Sequence, residues 1–326
     1  MFAGHRILIT GATGQMAGAL ADGLSRDNHL IAIARFSEPG SRERLDGLGI
    51  ETVRCDFTSG DFTGVPDNID YVVHAAANTH PKDAEAGMRD NAEGSGLLMS
   101  HCRKARGFLH VSTTGVYGQH VDPAHVYRET DDIGGATDMV TGATGDGERR
   151  QSASSFPMYG VTKTAAEGAV RAMARALSLP TTIARLNVAY GGPYFDGGLP
   201  GRQLQALIDG VPIRLTRGVR TVLCPIHEDD LTAHVGPLLQ AAAVPATITN
   251  WAGDVAVPVE EWVRYLADLI GVEPNIEFIE GRTLPSFVSD NSKRLSLGCV
   301  CKVDWKTGMR RMVERRHPEL KLRPPA

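Results

Sequence analysis

The regular alternation of short apolar runs with longer, helix-compatible stretches constrains this chain more than any other feature. The runs are rich in β-branched residues and lack polar alternation: 6–10, 30–35, 50–56, 70–76, 107–112 and 181–187. Strands of this kind are buried on both faces, which happens when crossover helices cover both sides of a sheet. The sequence therefore predicts an α/β fold with a doubly wound parallel sheet.

Composition is that of a folded enzyme-sized chain and excludes several functional classes. With 326 residues, 42% of them hydrophobic, the chain can bury a large core. Its net charge of −4 and the lack of an apolar run of membrane-spanning length argue against nucleic-acid and membrane partners. After about residue 190, Gly/Pro-rich connections separate individual helices, which predicts a smaller C-terminal lobe.

The five cysteines indicate a reducing environment. Only Cys299 and Cys301 are close in sequence, and no histidine or second cysteine pair stands beside them to complete a metal site. We therefore expect free thiols and no bound metal. Because no apolar signal segment follows Met1, we also expect a cytoplasmic protein.

A glycine-rich turn follows the first predicted strand and leads into a predicted helix. Gly11 permits a tight turn, Gly14 lets the backbone approach a pyrophosphate, and the small Ala17 lets the helix pack close to the strand. The N-terminus of that helix offers free N–H groups and a favourable dipole to phosphates. This context predicts a dinucleotide-binding site rather than a plain turn between a strand and a helix.

Two residues at strand ends bear on which dinucleotide is bound. Arg35 ends the second predicted strand, 24 residues after Gly11, where an acidic residue would accept from the ribose 2′-hydroxyl of NAD. Arginine cannot accept that bond but can pair with a 2′-phosphate, so NADP is favoured, with NAD left possible. Asp56 ends the third strand and is either an acceptor for the adenine amino group or a helix cap.

A tyrosine and a lysine four residues apart open an Ala-rich predicted helix. The spacing places Tyr159 and Lys163 on one helix face, with Cβ atoms about 5–6 Å apart. An ammonium beside a phenol lowers the pKa of the phenol, which makes it a usable proton donor or acceptor near neutral pH. Thr113 ends an apolar strand, where its hydroxyl would face the crevice at the carboxyl edge of the sheet.

The segment 118–158 breaks the rhythm of strands and helices. It is rich in Gly, Asp, Thr and Ser and lacks helical periodicity. Long loops inside compact domains are usually functional or mobile. We expect a long active-site loop here, and a lid over the substrate entrance is one reading of it.

Seven motifs together give the sequence a recognisable order. It resembles the extended short-chain dehydrogenase/reductase superfamily, in its NAD-dependent epimerase/dehydratase type, over nearly the whole chain. The motifs are Thr10–Gly14, Val73–Ala77, Asn91–Ser95, Val111–Gly118, Tyr159–Lys163, Arg185–Asn187 with Tyr190 and Gly191, and His227–Asp230.

The resemblance implies a Rossmann-type domain made of residues 1–188 and about 226–255. A smaller α/β lobe for the substrate would comprise about 189–225 and 256–326. Tyr159 then looks like the general acid/base, Lys163 like its pKa-lowering partner and a ligand of the nicotinamide ribose, and Thr113 like the hydroxyl that binds the reacting oxygen. Asn91 looks like the helix residue near the active site.

Further contacts follow from the same resemblance. Besides Gly11, Gly14, Arg35, Asp56 and Lys163, the positions expected along the cofactor are Thr13, Gln15, Met16, Phe57, Ala75 and Ala76. The candidates for substrate contact are Thr114, Asn187 and Leu223.

The sequence departs from its relatives at the substrate end. Sugar dehydratases carry an Asp-Glu pair after the catalytic threonine, whereas this chain has Thr114 and Gly115, so it lacks the acid/base pair for β-elimination. An arginine that grips the sugar diphosphate in relatives is replaced by Leu223, unless Arg217 or Arg220 takes its place. An apolar residue there favours a less charged ligand.

These features predict an NAD(P)-dependent oxidoreductase that interconverts a secondary alcohol and a ketone, with Tyr, Lys and Thr in acid/base catalysis. A nucleotide-sugar epimerase of the same family is the first alternative. A catalytically silent dinucleotide sensor or scaffold is an alternative from another class. Ala-rich faces near 91–104 and 159–178 predict a homodimer, since relatives pair these helices across a two-fold axis.

Overall fold

The computed structural model describes residues 2–118, 120, 122, 124–134, 156–195, 197–280 and 284–324. The chain divides into two compact units. The first unit comprises Met1–Gln119, Glu129–Leu186 and Val235–Thr249, and the second comprises His120–Arg128, Asn187–His234 and Asn250–Ala326.

Strands and helices alternate through the first half of the chain, as the hydrophobic pattern predicts. The strands are β1 (Arg6–Thr10), β2 (His29–Ala34), β3 (Glu51–Arg54), β4 (Tyr71–His74), β5 (Gly107–Thr113), β6 (Val126–Tyr127), β7 (Thr181–Leu186), β8 (Ala189–Tyr190), β9 (Ile213–Thr216), β10 (Val222–Leu223), β11 (Ile226–His227), β12 (Thr247–Trp251), β13 (Val257–Pro258), β14 (Ile276–Ile279) and β15 (Val288–Ser289). The α-helices are α1 (Gln15–Ser25), α2 (Ser41–Asp46), α3 (Ala84–Gly87), α4 (Gly94–His101), α5 (Phe156–Leu177), α6 (Leu199–Asp209), α7 (Glu228–Gln240), α8 (Val259–Ile270), α9 (Ser292–Ser296) and α10 (Trp305–Arg316).

A seven-stranded parallel sheet in the order β12-β7-β5-β4-β1-β2-β3 organises the first unit. From β1 the chain first builds outward through β2 and β3, then returns to place β4 on the other side of β1. This reversal is the switch point of a Rossmann-type sheet, where ligands bind beyond the carboxyl ends of the strands. Thr10 pairs with His74 in the register of β1 and β4, so the segments that leave these two strands start side by side.

One part of the core of the first unit lies between the sheet and the helices α4 and α5. Leu8, Phe108 and Val170 are fully buried there. Burial of such side chains contributes about 1.5–3 kcal/mol each, which is why uniformly apolar strands were a sound indicator of this architecture. Helix α5 begins at Phe156, three residues earlier than the Tyr159 start expected from the sequence.

The second unit is built from short two-stranded pairings and separate helices. β8 with β11, β9 with β14, and β6 with β15 are parallel, and β10 with β13 is antiparallel. Helix α8 buries one apolar face, and the indole of Trp262 on that face donates to Gln203 Oε1 at 2.6 Å.

The observed division differs from the expected boundaries at four short segments. Residues 120–128, 187–188, 226–234 and 250–255 fall in the second unit, whereas the sequence pattern predicted them in the first unit or in the long loop. Strand β6 lies inside the expected loop 118–158 and pairs with β15, a partner too distant in sequence for a local pattern to indicate. Residues 135–155 of that loop lie outside the described residues, and so does its reading as a lid.

Among the described residues, none of the helices combines the length and apolar character required to cross a membrane.

Candidate active site

The turn after β1 has the geometry that a dinucleotide pyrophosphate requires. Gly11 has φ +78°, and a Cβ atom on it would lie 2.9 Å from the Cα atom of Ala76, so neither the conformation nor the space admits a side chain. Gly14 is exposed and caps α1 without a side-chain hydrogen bond. The first N–H groups of α1, beginning at Gln15 and Met16, are therefore left for an anion, with Thr13 half-buried beside them.

A buried chain of hydrogen bonds fastens the segment after β4 to this turn. Thr10 Oγ1 accepts from the N–H groups of Ala75 (3.1 Å) and Ala76 (3.0 Å), so its hydroxyl proton points to His74 Nδ1 at 2.8 Å. His74 Nε2 then donates to Ser95 Oγ at 2.8 Å, and that hydroxyl donates to the carbonyl oxygen of Asn91 at 2.6 Å. Burial and the nearby Lys163 lower the pKa of His74 to about 3. The imidazole is therefore neutral, and each hydrogen bond in this series keeps one direction.

Asn91 stands in a π-helical turn, Met88–Glu93, directly before α4. Its Oδ1 accepts from the N–H of Asn78 at 2.7 Å, and its Nδ2 donates to the carbonyl of Asn78 (3.0 Å) and to Thr162 Oγ1 (2.9 Å). Thr162 in turn donates to the carbonyl of Tyr159 at 3.1 Å. Asn91 thus links the segment after β4 to α5, and the three hydrogen bonds of its amide all belong to this link.

Lys163 is turned toward the sheet. Its Nζ atom donates to the carbonyl of Val111 at 2.8 Å and lies 3.1 Å from His110 Nε2. Burial lowers the pKa of Lys163 to about 8, while Glu167 one turn further along the helix acts in the opposite direction.

The expected lowering of the tyrosine pKa by Lys163 is wrong for this structure. Burial raises the pKa of Tyr159 to about 12. Helical spacing brought the two residues to one face, but the long lysine side chain carries its charge to β5 instead. In this arrangement the phenol is protonated at neutral pH.

Thr113 ends β5 and its hydroxyl accepts from the N–H of Gly115 at 3.1 Å, which starts a short 3₁₀ helix over Thr114–Val116. Thr114 is buried. A Cβ atom on Gly160 would lie 2.5 Å from the carbonyl oxygen of Gly115. The glycine beside Tyr159 therefore allows α5 to approach the end of β5, and brings the elements that carry Thr113 and Tyr159 together.

A buried ion pair holds α5 against β5 and β7. Glu167 accepts from Arg185 Nε at 3.0 Å and Nη2 at 2.8 Å, and from Ser112 Oγ at 2.6 Å. Arg185 also covers the ring of Tyr117 at 4.7 Å. Sequence reasoning missed this pair, although Glu167 stands one turn after Lys163 on the same helix face, which is a usable signal.

Arg35, which is expected to bind the adenosine end of the cofactor, lies at the protein surface. Arg35 directly follows β2, is exposed, and makes no hydrogen bond or ion pair with the rest of the described chain. Phe36 beside it has φ +51°, a strained conformation for a residue with a side chain. Arg44, which the sequence did not single out, donates from Nη2 to the carbonyls of Ala12 (3.3 Å) and Thr13 (3.2 Å) and so braces the glycine turn.

Asp56 and Phe57, which follow β3, make structural contacts. Asp56 Oδ1 accepts from the backbone N–H (3.1 Å) and hydroxyl (2.7 Å) of Thr58, so the capping role is observed. Phe57 meets the ring of His74 edge-on, with centroids 5.4 Å apart.

Two of the three candidate substrate residues lie in the second unit. Asn187 Oδ1 accepts from Val188 N (2.9 Å) and Cys224 N (3.2 Å), while its Nδ2 donates to Phe287 O (2.7 Å) and Ser289 Oγ (3.3 Å). Its amide is fully used. Leu223 is 2% exposed in β10, paired with Val257.

The profile of the NAD dependent epimerase/dehydratase family matches residues 7–215. The chain belongs to this family. As a family member it carries the glycine turn, the segment after β4 and the Tyr159–Lys163 pair inside the matched region, while α7, α8 and α10 lie beyond it.

Two curated proteins illustrate the range of sequence relatives. This chain is 25% identical over 335 positions to a trifunctional UDP-glucose 4,6-dehydratase/UDP-4-keto-6-deoxy-D-glucose 3,5-epimerase/UDP-4-keto-L-rhamnose-reductase of Arabidopsis thaliana, covering 94% of this chain and 46% of the plant protein. It is 27% identical over 256 residues to the dTDP-glucose 4,6-dehydratase of Mycolicibacterium smegmatis, covering 74% and 71% of the two chains. The chain thus spans about half the length of the plant relatives.

Solved structures establish the fold of this family member. UDP-glucuronic acid 4-epimerase from Bacillus cereus, in complex with UDP-glucuronic acid and NAD, superposes with a TM-score of 0.78 at 19% identity, over 95% of this chain and 98% of the epimerase. UDP-glucose 4-epimerase from Thermotoga maritima with UDP-glucose gives 0.77 at 19% identity, over 95% and 98%.

Proposed function

We propose that this protein is an NADP(H)-dependent oxidoreductase that interconverts a ketone on a nucleotide-linked sugar and the corresponding secondary alcohol. The observation that carries the proposal is the placement of Lys163, Tyr159 and Thr113 around the carboxyl end of β5, two strands from the glycine turn. When bound, the dinucleotide supplies the hydride. The chain supplies the cradle, the orientation and the proton.

Tyr159 is the proposed general acid and base. A phenol with a pKa of about 12 is protonated at neutral pH, and it can give that proton to an alkoxide oxygen. The Thr113 hydroxyl would bind the same oxygen, and the Lys163 ammonium would hold the dinucleotide ribose. In the reverse reaction the phenolate accepts the proton of the alcohol, so the same tyrosine serves oxidation as well.

The choice of NADP rests on Arg35. Its exposed guanidinium follows β2, where a 2′-phosphate would lie, and carries a charge with no described protein partner. The Bacillus cereus epimerase is a complex with NAD, so this preference would distinguish the chain from that relative. The second role considered for Asp56, accepting from the adenine amino group, is compatible with its second carboxylate oxygen.

The substrate class follows the relatives, which are named for UDP- and dTDP-sugars. The less charged ligand expected from Leu223 is set aside, because a side chain buried in β10 gives no information on the polarity of a binding site. Arg220 is exposed and is the candidate to bind the diphosphate, while Arg217 is paired with Glu280 at 3.0 Å. Thr114 remains a candidate substrate contact.

A nucleotide-sugar 4-epimerase is the second candidate, favoured by the likeness to the two epimerase structures. A 4,6-dehydratase is not proposed, because Thr114 and Gly115 provide no carboxylate for β-elimination.

The test combines binding and turnover. NADP and NAD are titrated by fluorescence, and UDP- and dTDP-4-ketosugars are offered with NADPH. We expect tighter NADP binding, its reversal in Arg35→Asp, and NADPH oxidation that falls by about 100-fold or more in Tyr159→Phe. Tyr265→Phe, which removes a hydroxyl that donates to the carbonyl of Lys306, is the matched control and should retain full turnover.

Three results would redirect the assignment. Sugar inversion without net NADPH consumption would establish the epimerase. Dinucleotide binding without turnover on any ketosugar would favour the silent sensor. Equal or weaker affinity for NADP than for NAD would remove the role given to Arg35.

We further propose a homodimer through α4 and α5. Leu97 on α4 is 39% exposed and Gly168 on α5 faces open space, which leaves room for a second copy. Light scattering that gives a 35 kDa particle at micromolar concentration would contradict it.

A cytoplasmic location is proposed from the thiols. All five cysteines are free in the structure, which suits a reducing compartment. Cell fractionation tests this directly.

A further inference from the structure

The ammonium group of Lys163 is held by two acceptors on one strand. The carbonyl of Val111 lies 2.8 Å away and His110 Nε2 lies 3.1 Å away. Lys163 is 1% exposed and His110 is fully buried. Because an ammonium has three N–H bonds, β5 takes two of them and leaves one for a further partner.

The protonation of His110 follows from its neighbours. Burial and the charge of Lys163 hold the pKa of His110 well below its usual range, so the imidazole is neutral. Since Lys163 donates to Nε2, the single ring proton is on Nδ1. That atom is buried and has no hydrogen-bond partner within the described chain.

An unpaired buried N–H group is costly, so stability alone does not account for a histidine at this position. An apolar residue would fill the space on the central strand without that cost. Unlike an apolar residue, His110 provides a hydrogen-bond acceptor for the buried ammonium group of Lys163.

The other titratable groups around Lys163 are already engaged. Glu167, on the same helix, is bound by Arg185 from β7 and by Ser112. His74, opposite His110 in β4, uses both nitrogens for Thr10 and Ser95. Tyr159 stands one turn earlier on α5. His110 is thus the group that contacts the ammonium directly.

We propose that His110 is a positioning residue for Lys163: its Nε2 atom accepts a hydrogen bond that keeps the buried lysine charged and fixed on β5, with one N–H left for the dinucleotide. This inference rests on the proposed function for the identity of that third partner. The contact between His110 and Lys163 is a property of the protein alone.

The test compares two substitutions of one histidine. His110→Leu removes the acceptor, whereas His110→Gln places an amide oxygen near the former Nε2. NADPH binding is measured by its fluorescence from pH 6 to 9.5. The affinity of the wild type should fall as the pH rises through the Lys163 pKa near 8. Loss of a hydrogen bond to a charged group should move this midpoint down by about one to two pH units in His110→Leu, and His110→Gln should restore it.

His234 provides the matched control. It is also a buried histidine with one unpaired nitrogen, and its Nδ1 accepts from the Trp251 indole at 3.3 Å. His234→Leu should lower stability without moving the midpoint, and Lys163→Met should abolish the midpoint altogether. If His110→Leu does not fold, His110→Phe removes the same acceptor with a ring of similar shape.

A wild-type midpoint in both His110→Leu and His110→Gln would overturn the proposal. If the wild type binds no NADPH, the proposed function fails, and the contact is then tested by urea unfolding at pH 7 of His110→Leu, Lys163→Met and the double variant. Non-additivity of at least about fivefold in the unfolding constant would support the contact, and additive effects would refute it.

Discussion

Buried polar side chains are used differently in the two units of this molecule. In the second unit, Asp230 accepts from the backbone N–H groups of Lys302 and Val303, and the amide of Asn187 binds three backbone groups. In the first unit, Thr10, His74 and Ser95 bind one another, and Lys163 reaches His110. Bonds to the backbone fix segments of the chain in both units, whereas the contacts among the titratable side chains of the first unit also bear on their protonation. The family motifs of the second unit therefore hold backbone segments in place, while those of the first unit contain the side chains for which we propose a chemical role.

The buried pair of Glu167 and Arg185 should give the largest effect. Glu167→Ala leaves a guanidinium that is 2% exposed without its partner, and should lower the free energy of unfolding by about 3–5 kcal/mol. The exposed pair of Arg264 and Glu260 in the second unit is the control, and Glu260→Ala should cost at most about 0.5 kcal/mol. Urea unfolding followed by circular dichroism measures both. Equal effects would remove the distinction between the two pairs.

Two asparagines, Asn91 in the first unit and Asn187 in the second, test this difference between the units. Asn187→Ala and Asn91→Ala each remove a fully engaged amide and should cost about 2–4 kcal/mol. Only Asn91→Ala should also weaken NADPH binding, by about tenfold, because it releases the segment after β4. Tryptophan fluorescence follows Trp262 and Trp305 in the second unit, together with Trp251 at the end of β12 in the central sheet. A loss of NADPH affinity in Asn187→Ala would contradict the assignment of that residue to structure.

Acid should destabilise the first unit through His74. The pKa of His74 is about 3 in the folded chain and about 6.5 in the unfolded chain. Between these two pH values the unfolded chain binds one proton more than the folded chain, so the free energy of unfolding falls as the pH drops below 6.5. The loss should reach about 2 kcal/mol at pH 5 and disappear in His74→Gln. His234→Gln should reduce the acid sensitivity of the tryptophan signal instead, because burial also lowers the pKa of His234. If the free energy of unfolding of His74→Gln depends on pH as steeply as that of the wild type, His74 is not buried in its neutral form.

The smallest effect is expected at Arg44. Arg44→Met removes two hydrogen bonds to the carbonyls of the glycine turn and a positive charge beside it, so the affinity for NADPH should fall by about fivefold. Arg42→Met is the control, since Arg42 binds Thr52 instead. Isothermal titration distinguishes them, and a similar loss in both variants would mean that only the overall charge of α2 matters.

Much of the fold was predictable because it depends on local pattern. The apolar runs located six strands of the central sheet, and Gly11 and Gly14 located the turn, because buried strands and glycine turns leave their pattern in consecutive residues. The family is confirmed by the matched profile over residues 7–215. The roles of individual site residues remain predictions.

What the sequence could not provide lies in long-range contacts. The spacing of Tyr159 and Lys163 was correct, but the destination of the lysine charge depends on His110, 53 positions away. The expected lowering of the tyrosine pKa failed for this reason. Similarly, the burial of Leu223 depends on Val257, and the strand inside the expected loop depends on β15.

The position of β12 at the edge of the central sheet has a consequence for synthesis. The strand next to it, β7, ends at Leu186, yet β12 is supplied only by Thr247–Trp251, after some sixty further residues. On a ribosome that adds about 5–20 residues per second, β7 is therefore an open edge for at least several seconds. Such an edge is a template for pairing with other chains. The charged residues that could blunt it are few, because β7 carries only Arg185, so nascent chains stalled between residues 187 and 246 are the form of this protein in which we expect aggregation to begin.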